Sequence, residues 1–354
     1  MLNFNKIKER IILENESIIH ALKKMDSSGF RSFVVLDSKK LFCGILSLGD
    51  IQRAILKNIS LESSINIILR NNPKVASSET PFVEVKALML QHRMEFLPVV
   101  DNQRQLIDTY FWEDVFGIGE KLPVTPFNLP VVIMAGGVGS RLKPLTNVLP
   151  KPLLPIGEKT MLEEIFDRFA KYGCNKFFVS VNYKAELIKF YINNQKLPYQ
   201  IEFFEEEKPM GTAGSLSLLK GIIKETFFVS NCDILIDQDY SEILNYHRES
   251  KNEITVIAAL KSLSIPYGTI ETGENGKLLK LSEKPEITFK INSGVYLLEP
   301  SLLNEIPKDE FFHITDLIDN VVVRNGRVGV FPVNEKSWVD IGEWKGYLEK
   351  LKVL

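Results

Sequence analysis

The chain has 354 residues, of which 45 are acidic and 43 basic, for a net charge of −2. That length predicts two or three domains, and the near-neutral balance gives no electrostatic reason to expect nucleic acid or an anionic membrane as a partner. With 45% apolar and 25% charged residues the composition is that of a soluble globular protein.

The opening Met1-Leu-Asn-Phe-Asn-Lys-Ile-Lys-Glu-Arg10 is too charged for a signal-peptide core. The longest uncharged stretch, between Lys121 and Arg141, carries Pro123, Pro126, Pro130 and three glycines, which excludes a spanning helix. Cys43, Cys174 and Cys232 are odd in number and far apart, which fits a reducing compartment better than a disulfide framework. A cytoplasmic protein is expected.

The first 118 residues repeat with an offset of 64, as from Asp50 to Asp114. Phe33-Val-Val-Leu-Asp37 aligns with Leu97-Pro-Val-Val-Asp101, and Met25 with Met89. Each copy (about 6–60 and 65–118) reads as a helix (Ser17–Met25, Phe82–Met89), a β-rich run, a turn, a second strand and a helix entry at the Asp. One copy alone cannot cover its small sheet, so the two are expected to pack together as an α+β pair over residues 1–120. Residues 121–130, with three prolines, form a linker.

From residue 131 to 354 the texture changes. Val131-Val-Ile-Met134 is a wholly apolar run, as in a buried parallel strand. Strand-like runs recur at Phe177–Val181, Ile201–Phe204, Phe227–Val229, Ile254–Ala259 and Ser293–Leu298, with helix patterns at Met161–Tyr172 and Lys184–Asn193. Alternating strand and helix texture predicts an α/β domain with a largely parallel sheet.

The strongest local signal is Ala135-Gly136-Gly137-Val138-Gly139-Ser140-Arg141, followed by Leu142-Lys-Pro-Leu-Thr146 and Pro150-Lys151-Pro152. Glycines bring backbone N–H groups close to a phosphate chain, and Arg141 and Lys151 add a forked and a compact cation. The dinucleotide fingerprint fails because Leu142 stands at its third glycine, and the Walker loop fails because no Gly-Lys-Ser/Thr follows. An ordinary glycine-rich turn is the plain alternative. No histidine pair or Gly-x-Ser-x-Gly elbow supports metal hydrolysis or a serine hydrolase.

At these residues the chain resembles the sugar-1-phosphate nucleotidyltransferase family. Further motifs of that family follow in order: Met210-Gly-Thr-Ala-Gly-Ser215, Asn231-Cys-Asp233, Tyr267-Gly268, Glu283-Lys-Pro285, Asn292-Ser-Gly-Val-Tyr296 and Trp338-Val-Asp-Ile-Gly342. The resemblance implies a Rossmann-like mixed, mainly parallel sheet. It also implies attack by a sugar-1-phosphate oxygen on the α-phosphate of a nucleoside triphosphate, releasing pyrophosphate. Arg141 and Lys151 would be catalytic, and Asp233 and Asp340 would hold Mg²⁺. Ala135, Gly136, Gly137, Gly139, Gly211 and Thr212 would bind nucleotide, and Gly268, Glu283, Lys284 and Asn292 would touch the sugar. Taken singly, each Asp is equally a turn or cap residue, Lys284 a solvated charge, and Asn292 a local turn partner.

Of Glu205, Glu206 and Glu207, the second and third are the candidates for the base. One carboxylate accepts both donors on the Watson–Crick edge of guanine, which leans towards GTP. A solvated acidic run is the competing reading.

The 64-residue repeat resembles a tandem of cystathionine-β-synthase (CBS) motifs, whose Ser/Thr and Asp hold an adenine nucleotide. Ser47-Leu-Gly-Asp50 matches, whereas Phe111-Trp-Glu-Asp114 lacks the hydroxyl, leaving Ser47, Asp50 and Asp114 as the regulatory residues for AMP or ATP. Simple helix capping is the alternative. A CBS pair ahead of a transferase is similar to the guanylyltransferases that use glucosamine-1-phosphate in bacterial legionaminic acid synthesis. A homo-oligomer is compatible with this; nucleic acid and membrane are not expected partners. The rivals are a UTP-, dTTP- or CTP-dependent hexose-1-phosphate enzyme, and a non-catalytic adenine-nucleotide sensor that keeps the transferase fold.

Overall fold

A computed structural model of the chain describes residues 4–119, 122–344 and 346–348. The chain divides into two compact units at Val124/Thr125.

The N-terminal unit contains α1 (Phe4–Lys8), β1 (Ile11–Leu13), α2 (Ile18–Ser28), β2 (Ser32–Leu36), β3 (Phe42–Ser47) and α3 (Leu48–Leu56). Then come α4 (Phe82–His92), β4 (Phe96–Val100), β5 (Leu106–Phe111) and α5 (Trp112–Phe116). The 64-residue offset carries α2 onto α4, β2 onto β4 and β3 onto β5 residue for residue. It also carries the register irregularity at Val35/Leu36 onto that at Val99/Val100, and the Ile12–Val35 pair onto the Ala76–Val99 bridge. Val34, Leu36 and Phe42 of the first copy share one buried cluster with Phe96 and Phe111 of the second. The two small sheets therefore cover each other, as the repeat requires.

The second unit is built on a seven-stranded sheet. Its elements are β6 (Val131–Met134), the hairpin β7 (Pro155–Ile156) and β8 (Lys159–Thr160), α6 (Met161–Ala170), β9 (Lys176–Val181), α7 (Ala185–Asn194), β10 (Gln200–Glu205) and β11 (Phe227–Asn231). They continue as β12 (Ile234–Ile236), α8 (Tyr240–Glu249), β13 (Ile254–Ser264), β14 (Thr269–Thr272), β15 (Leu278–Ser282), β16 (Glu286–Leu298), α9 (Ile314–Val323), β17 (Val328–Val333) and β18 (Trp338–Asp340). The strand order is β10-β9-β6-β11-β16-β13-β17. Every neighbouring pair is parallel except those made by β16, which is antiparallel to β11 and to β13. The sheet is mixed and mainly parallel.

Strand periodicity separates its two faces. Val131, Ile133, Phe177, Val179 and Phe228 face one core with α6, α7 and α8, while Val132, Phe178, Phe227 and Val229 face another with α9. Each fully buried aromatic contributes about 1.5–3 kcal/mol of transfer free energy. α6 starts on a capping box in which the Thr160 hydroxyl accepts from Glu163 N–H, and the Glu163 carboxylate accepts from Thr160 N–H at 2.8 Å. Beyond Asn292 towards its start, β16 leaves the sheet as a ribbon with the end of β13, and β14–β15 forms a hairpin.

Candidate active site

β6 ends beneath its glycine loop, which turns where side chains would collide. Gly139 has φ 68°, and a Cβ there would stand 2.9 Å from Thr146 Cγ2 and 3.1 Å from Lys151 Cβ. A Cβ on Gly136 would stand 3.0 Å from Glu206 Oε1, whereas one on Gly137 would meet nothing within 4 Å. The loop is thus packed against the body at Gly136 and Gly139 and open at Gly137. Ala135 at its root is buried and donates its N–H to the Ser180 carbonyl at 3.0 Å.

Lys151 reaches from the loop's return and donates to Asp233, with both side chains largely buried (11% and 14% exposed). Asp233 follows β11 and precedes β12. β12 pairs antiparallel with β18, Ile234 opposite Asp340, and Ile341 N–H donates to the Asp233 carbonyl at 2.9 Å. That register brings two carboxylates distant in sequence to one point. Gly342 is the gap between them: a Cβ there would stand 2.9 Å from Asp340 Oδ1 and closer still to Asp233 Oδ2 and Lys151 Nζ. Asp340 Oδ1 accepts from Gly342 N–H at 2.7 Å. Burial pushes the Asp340 carboxyl above its usual range and the Asp233 charge adds to this, against the Gly342 N–H and Lys151.

Two carboxylates and one ammonium leave the cluster one negative charge. Oxygen donors in that arrangement suit a hard divalent ion. Among the described residues no group of three or more His, Cys, Asp or Glu side chains gathers as an all-protein metal site requires.

Arg141 lies in a short 3₁₀ turn over Ser140–Leu142, exposed, with Nη1 3.1 Å from Glu343 Oε1. Glu343 follows Gly342 directly, so Arg141 is brought to the edge of the Asp233–Asp340 cluster.

The Gly211–Gly214 segment is held by backbone bonds to the start of α9. Phe312 N–H donates to the Met210 carbonyl, and Ala213 and Gly214 N–H both donate to the Phe312 carbonyl, all at 3.0 Å. Gly211 has φ 79° and its missing Cβ leaves room for that carbonyl. The Thr212 hydroxyl accepts from Ile314 N–H at 3.0 Å and lies 3.4 Å from His313 Nδ1. The three glutamates separate sharply. Glu205 is exposed on an ion pair with Lys189, and Glu207 is exposed. Glu206 is buried, accepting from the Ser180 hydroxyl and from Met210 N–H at 3.2 Å. Asn182 Nδ2 donates to its backbone carbonyl at 2.6 Å. Glu206 therefore lies between the glycine loop and the Gly-Thr-Ala-Gly loop.

The four residues expected to touch the sugar form two groups. Gly268 and Glu283 face each other at the base of the β14–β15 hairpin, where a Cβ on Gly268 would stand 2.9 Å from Glu283 Oε2. Lys284 beside them is exposed with φ 46°. Asn292 instead belongs to the Asp233 side. Its Oδ1 accepts from Gly294 N–H at 3.1 Å, and Gly294 packs on Asn231.

In the N-terminal unit, Asp50 is 4% exposed. It accepts from Ser47 N–H at 2.8 Å, from the Ser47 hydroxyl at 2.5 Å, from Arg70 Nε at 2.8 Å and from Arg53. Ser47 and Asp50 make a capping box at α3. Asp114 pairs instead with Lys6 at 3.0 Å, and Phe111 caps α5 without a side-chain bond.

The nucleotidyl transferase family profile matches residues 130–354. The chain belongs to the nucleotidyl transferase family. The CBS domain profile matches residues 9–57. The chain is 32% identical over 228 residues to a mannose-1-phosphate guanylyltransferase catalytic subunit beta of Dictyostelium discoideum, covering 62% of this chain and 63% of that one. It is 30% identical over 244 residues to a UTP–glucose-1-phosphate uridylyltransferase of Synechocystis, covering 63% of each. The chain thus spans less than two thirds of the length of these relatives. The crystal structure of HddC from Yersinia pseudotuberculosis superposes with a TM-score of 0.50 at 25% identity, over 64% of this chain and 99% of that one.

In this member of the family, four residues that sequence reasoning passed over adjoin the candidate groups. Phe312 and His313 fix the Gly211–Gly214 loop, Ser180 bonds Glu206, and Glu343 bonds Arg141. The first three act through space, from another strand or helix, and carry no local pattern. Only Glu343, one residue beyond Trp338-Val-Asp-Ile-Gly342, lay within reach of a motif search.

Proposed function

We propose that this chain transfers a nucleoside monophosphate from a nucleoside triphosphate, with GTP preferred, to a sugar-1-phosphate, releasing pyrophosphate. The observation that carries the reading is the meeting of Asp233, Asp340 and Lys151 at Gly342, with Lys151 also against Gly139 of the phosphate loop.

A phosphate oxygen of the sugar-1-phosphate attacks the α-phosphorus, and the bond from that phosphorus to its bridging oxygen breaks as pyrophosphate leaves. Both reactants are anions, so positioning and cations supply most of the catalysis. Arg141 grips the pyrophosphate end, and Lys151 offsets charge growing at the α-phosphate. The open backbone at Gly137 admits phosphate where a side chain would block it. Asp233 and Asp340 would hold Mg²⁺, which would supply positive charge to offset that of the phosphates. Ala135 and Gly136 root the loop, while Gly211 and Thr212 set the base loop. Gly268, Glu283, Lys284 and Asn292 contact the sugar.

Glu206 and Glu207 are the proposed base contacts behind the GTP preference: Glu206 lies between the two nucleotide loops, where it already accepts from Ser180 and Met210, and Glu207 is exposed. The acceptor we propose is glucosamine-1-phosphate, for a surface glycan of the legionaminic acid type. Its support is the sequence resemblance and the CBS motif pair ahead of the transferase. Ser47 and Asp50, with Asp114 on the second copy, are the proposed contacts for an adenine nucleotide. Three free cysteines suit a cytoplasmic enzyme, and among the described residues no helix is long and apolar enough to cross a membrane.

The test is a matrix of nucleoside triphosphates against sugar-1-phosphates with Mg²⁺, read by released pyrophosphate. Turnover with GTP and glucosamine-1-phosphate above all other pairs is expected. Release with no pair would end the reading, and a preference for UTP would move the base assignment away from Glu206.

A further inference from the structure

The residues that follow Asp340 form a strap over the glycine loop. Glu343 Oε1 accepts from Arg141 Nη1 at 3.1 Å, and Trp344 Nε1 donates to the Lys143 carbonyl at 3.2 Å. The strap therefore holds the loop on both sides of Leu142. It is tied at its other end to the carboxylate cluster, because Ile341 N–H bonds the Asp233 carbonyl and Gly342 N–H bonds Asp340.

Glu343 and a terminal phosphate offer Arg141 the same thing, a set of anionic oxygens that a guanidinium can fork onto. With a triphosphate in the loop, an Arg141 that grips it must exchange its carboxylate partner for phosphate.

We propose that Glu343 is a positioning residue for Arg141. It holds the guanidinium at the loop in the free enzyme and competes with the triphosphate and with pyrophosphate for it. The proposal deepens the transferase reading and rests on it. Such a competitor keeps Arg141 aimed when the site is empty and weakens the grip on the leaving pyrophosphate, so that product escapes. Both side chains are more than half exposed (66% and 59%), and the effect has the modest size of a solvated ion pair.

The experiment measures the KM for the nucleoside triphosphate, product inhibition by pyrophosphate, and pyrophosphate binding by calorimetry in wild type, Glu343→Gln, Arg141→Gln and the double variant. Glu343→Gln is expected to lower the triphosphate KM and tighten pyrophosphate about two- to fivefold, the range of an exposed ion pair. The sugar-1-phosphate KM should stay unchanged. The gain should shrink at about 1 M salt, where the Debye length is about 3 Å. In the Arg141→Gln background the second substitution should change pyrophosphate affinity no further. An equal gain in that background, or an equal gain for sugar-1-phosphate, would show a general charge effect and overturn the proposal. Unchanged pyrophosphate affinity in Glu343→Gln would overturn it too. Absence of turnover by wild type with every substrate pair would instead remove the transferase reading, a result distinguishable from these because the calorimetry does not depend on turnover.

Discussion

Asp340 stands opposite Ile234 in the β12–β18 pair, one step past Asp233, so a three-residue strand pairing sets two carboxylates beside one ammonium. Asp233→Asn and Asp340→Asn should each lower Mg²⁺-dependent kcat/KM by at least about 100-fold, beyond the about 10–100-fold typical of residues that only support a metal's ligands. Circular dichroism should show the fold intact. Unchanged turnover in either variant would refute the metal assignment for that residue.

Two glycines at the site make opposite predictions. Gly342→Ala puts a methyl group among Asp233, Lys151 and Asp340, and should abolish turnover with little loss of secondary structure. Gly137→Ala meets nothing within 4 Å, so its thermal midpoint should match wild type. Its triphosphate KM should rise about tenfold, if the methyl occupies the space where phosphate approaches the backbone, a loss of about 1.4 kcal/mol. A normal KM in Gly137→Ala would place the phosphate chain elsewhere on the loop.

The base pocket can be tested one carboxylate at a time. Glu206 is buried on Ser180 and Met210, and Glu207 is in solvent. Glu206→Gln should reduce the GTP-to-UTP ratio of kcat/KM about tenfold or more, and should cost about 1–3 kcal/mol of stability by disturbing buried bonds. Glu207→Gln should change the ratio little. The reverse ranking, read from the same two ratios, would assign the base to the exposed glutamate.

Sequence periodicity revealed much of this architecture for a physical reason. Val131–Met134 reads as a buried strand and is one, because both its faces are covered. The 64-residue repeat places β2 and β4 in equivalent positions because each copy buries the same positions. The first half of β16, Glu-Ile-Thr-Phe-Lys-Ile-Asn, escaped because it lies mostly exposed in a ribbon and carries no continuous apolar run. Helix ends shifted by a few residues: α2 starts after Ser17 and runs on to Ser28, and α7 starts after Lys184. The site was legible as motifs but not as contacts. Glu205, Glu206 and Glu207 are chemically alike in sequence, and burial separates them only once Glu206 N–H bonds the Val181 carbonyl. Likewise His313, isolated in sequence, reaches Thr212 through the placement of α9.

Asp50 tests the N-terminal unit through pH. Burial alone would raise its carboxyl, but the bonds from Ser47 and Arg70 together outweigh burial and hold it below its ordinary value of 3.8. A carboxyl lowered in the folded state stabilises fully above its unfolded value, and that contribution is lost as pH falls through the lowered one. Asp50→Ala should therefore cost about 1–3 kcal/mol at neutral pH, from the lost capping box and buried bonds. The difference from wild type should shrink in acid, below the ordinary Asp range. Thermal unfolding of the full chain, followed by circular dichroism across that range, gives the comparison. A difference that stays constant into acid would mean that Asp50 acts by packing rather than by charge. If adenine-nucleotide binding by calorimetry also disappears in Asp50→Ala while Asp114→Ala retains it, the ligand site belongs to the first copy, where Ser47 supplies the hydroxyl that Phe111 cannot.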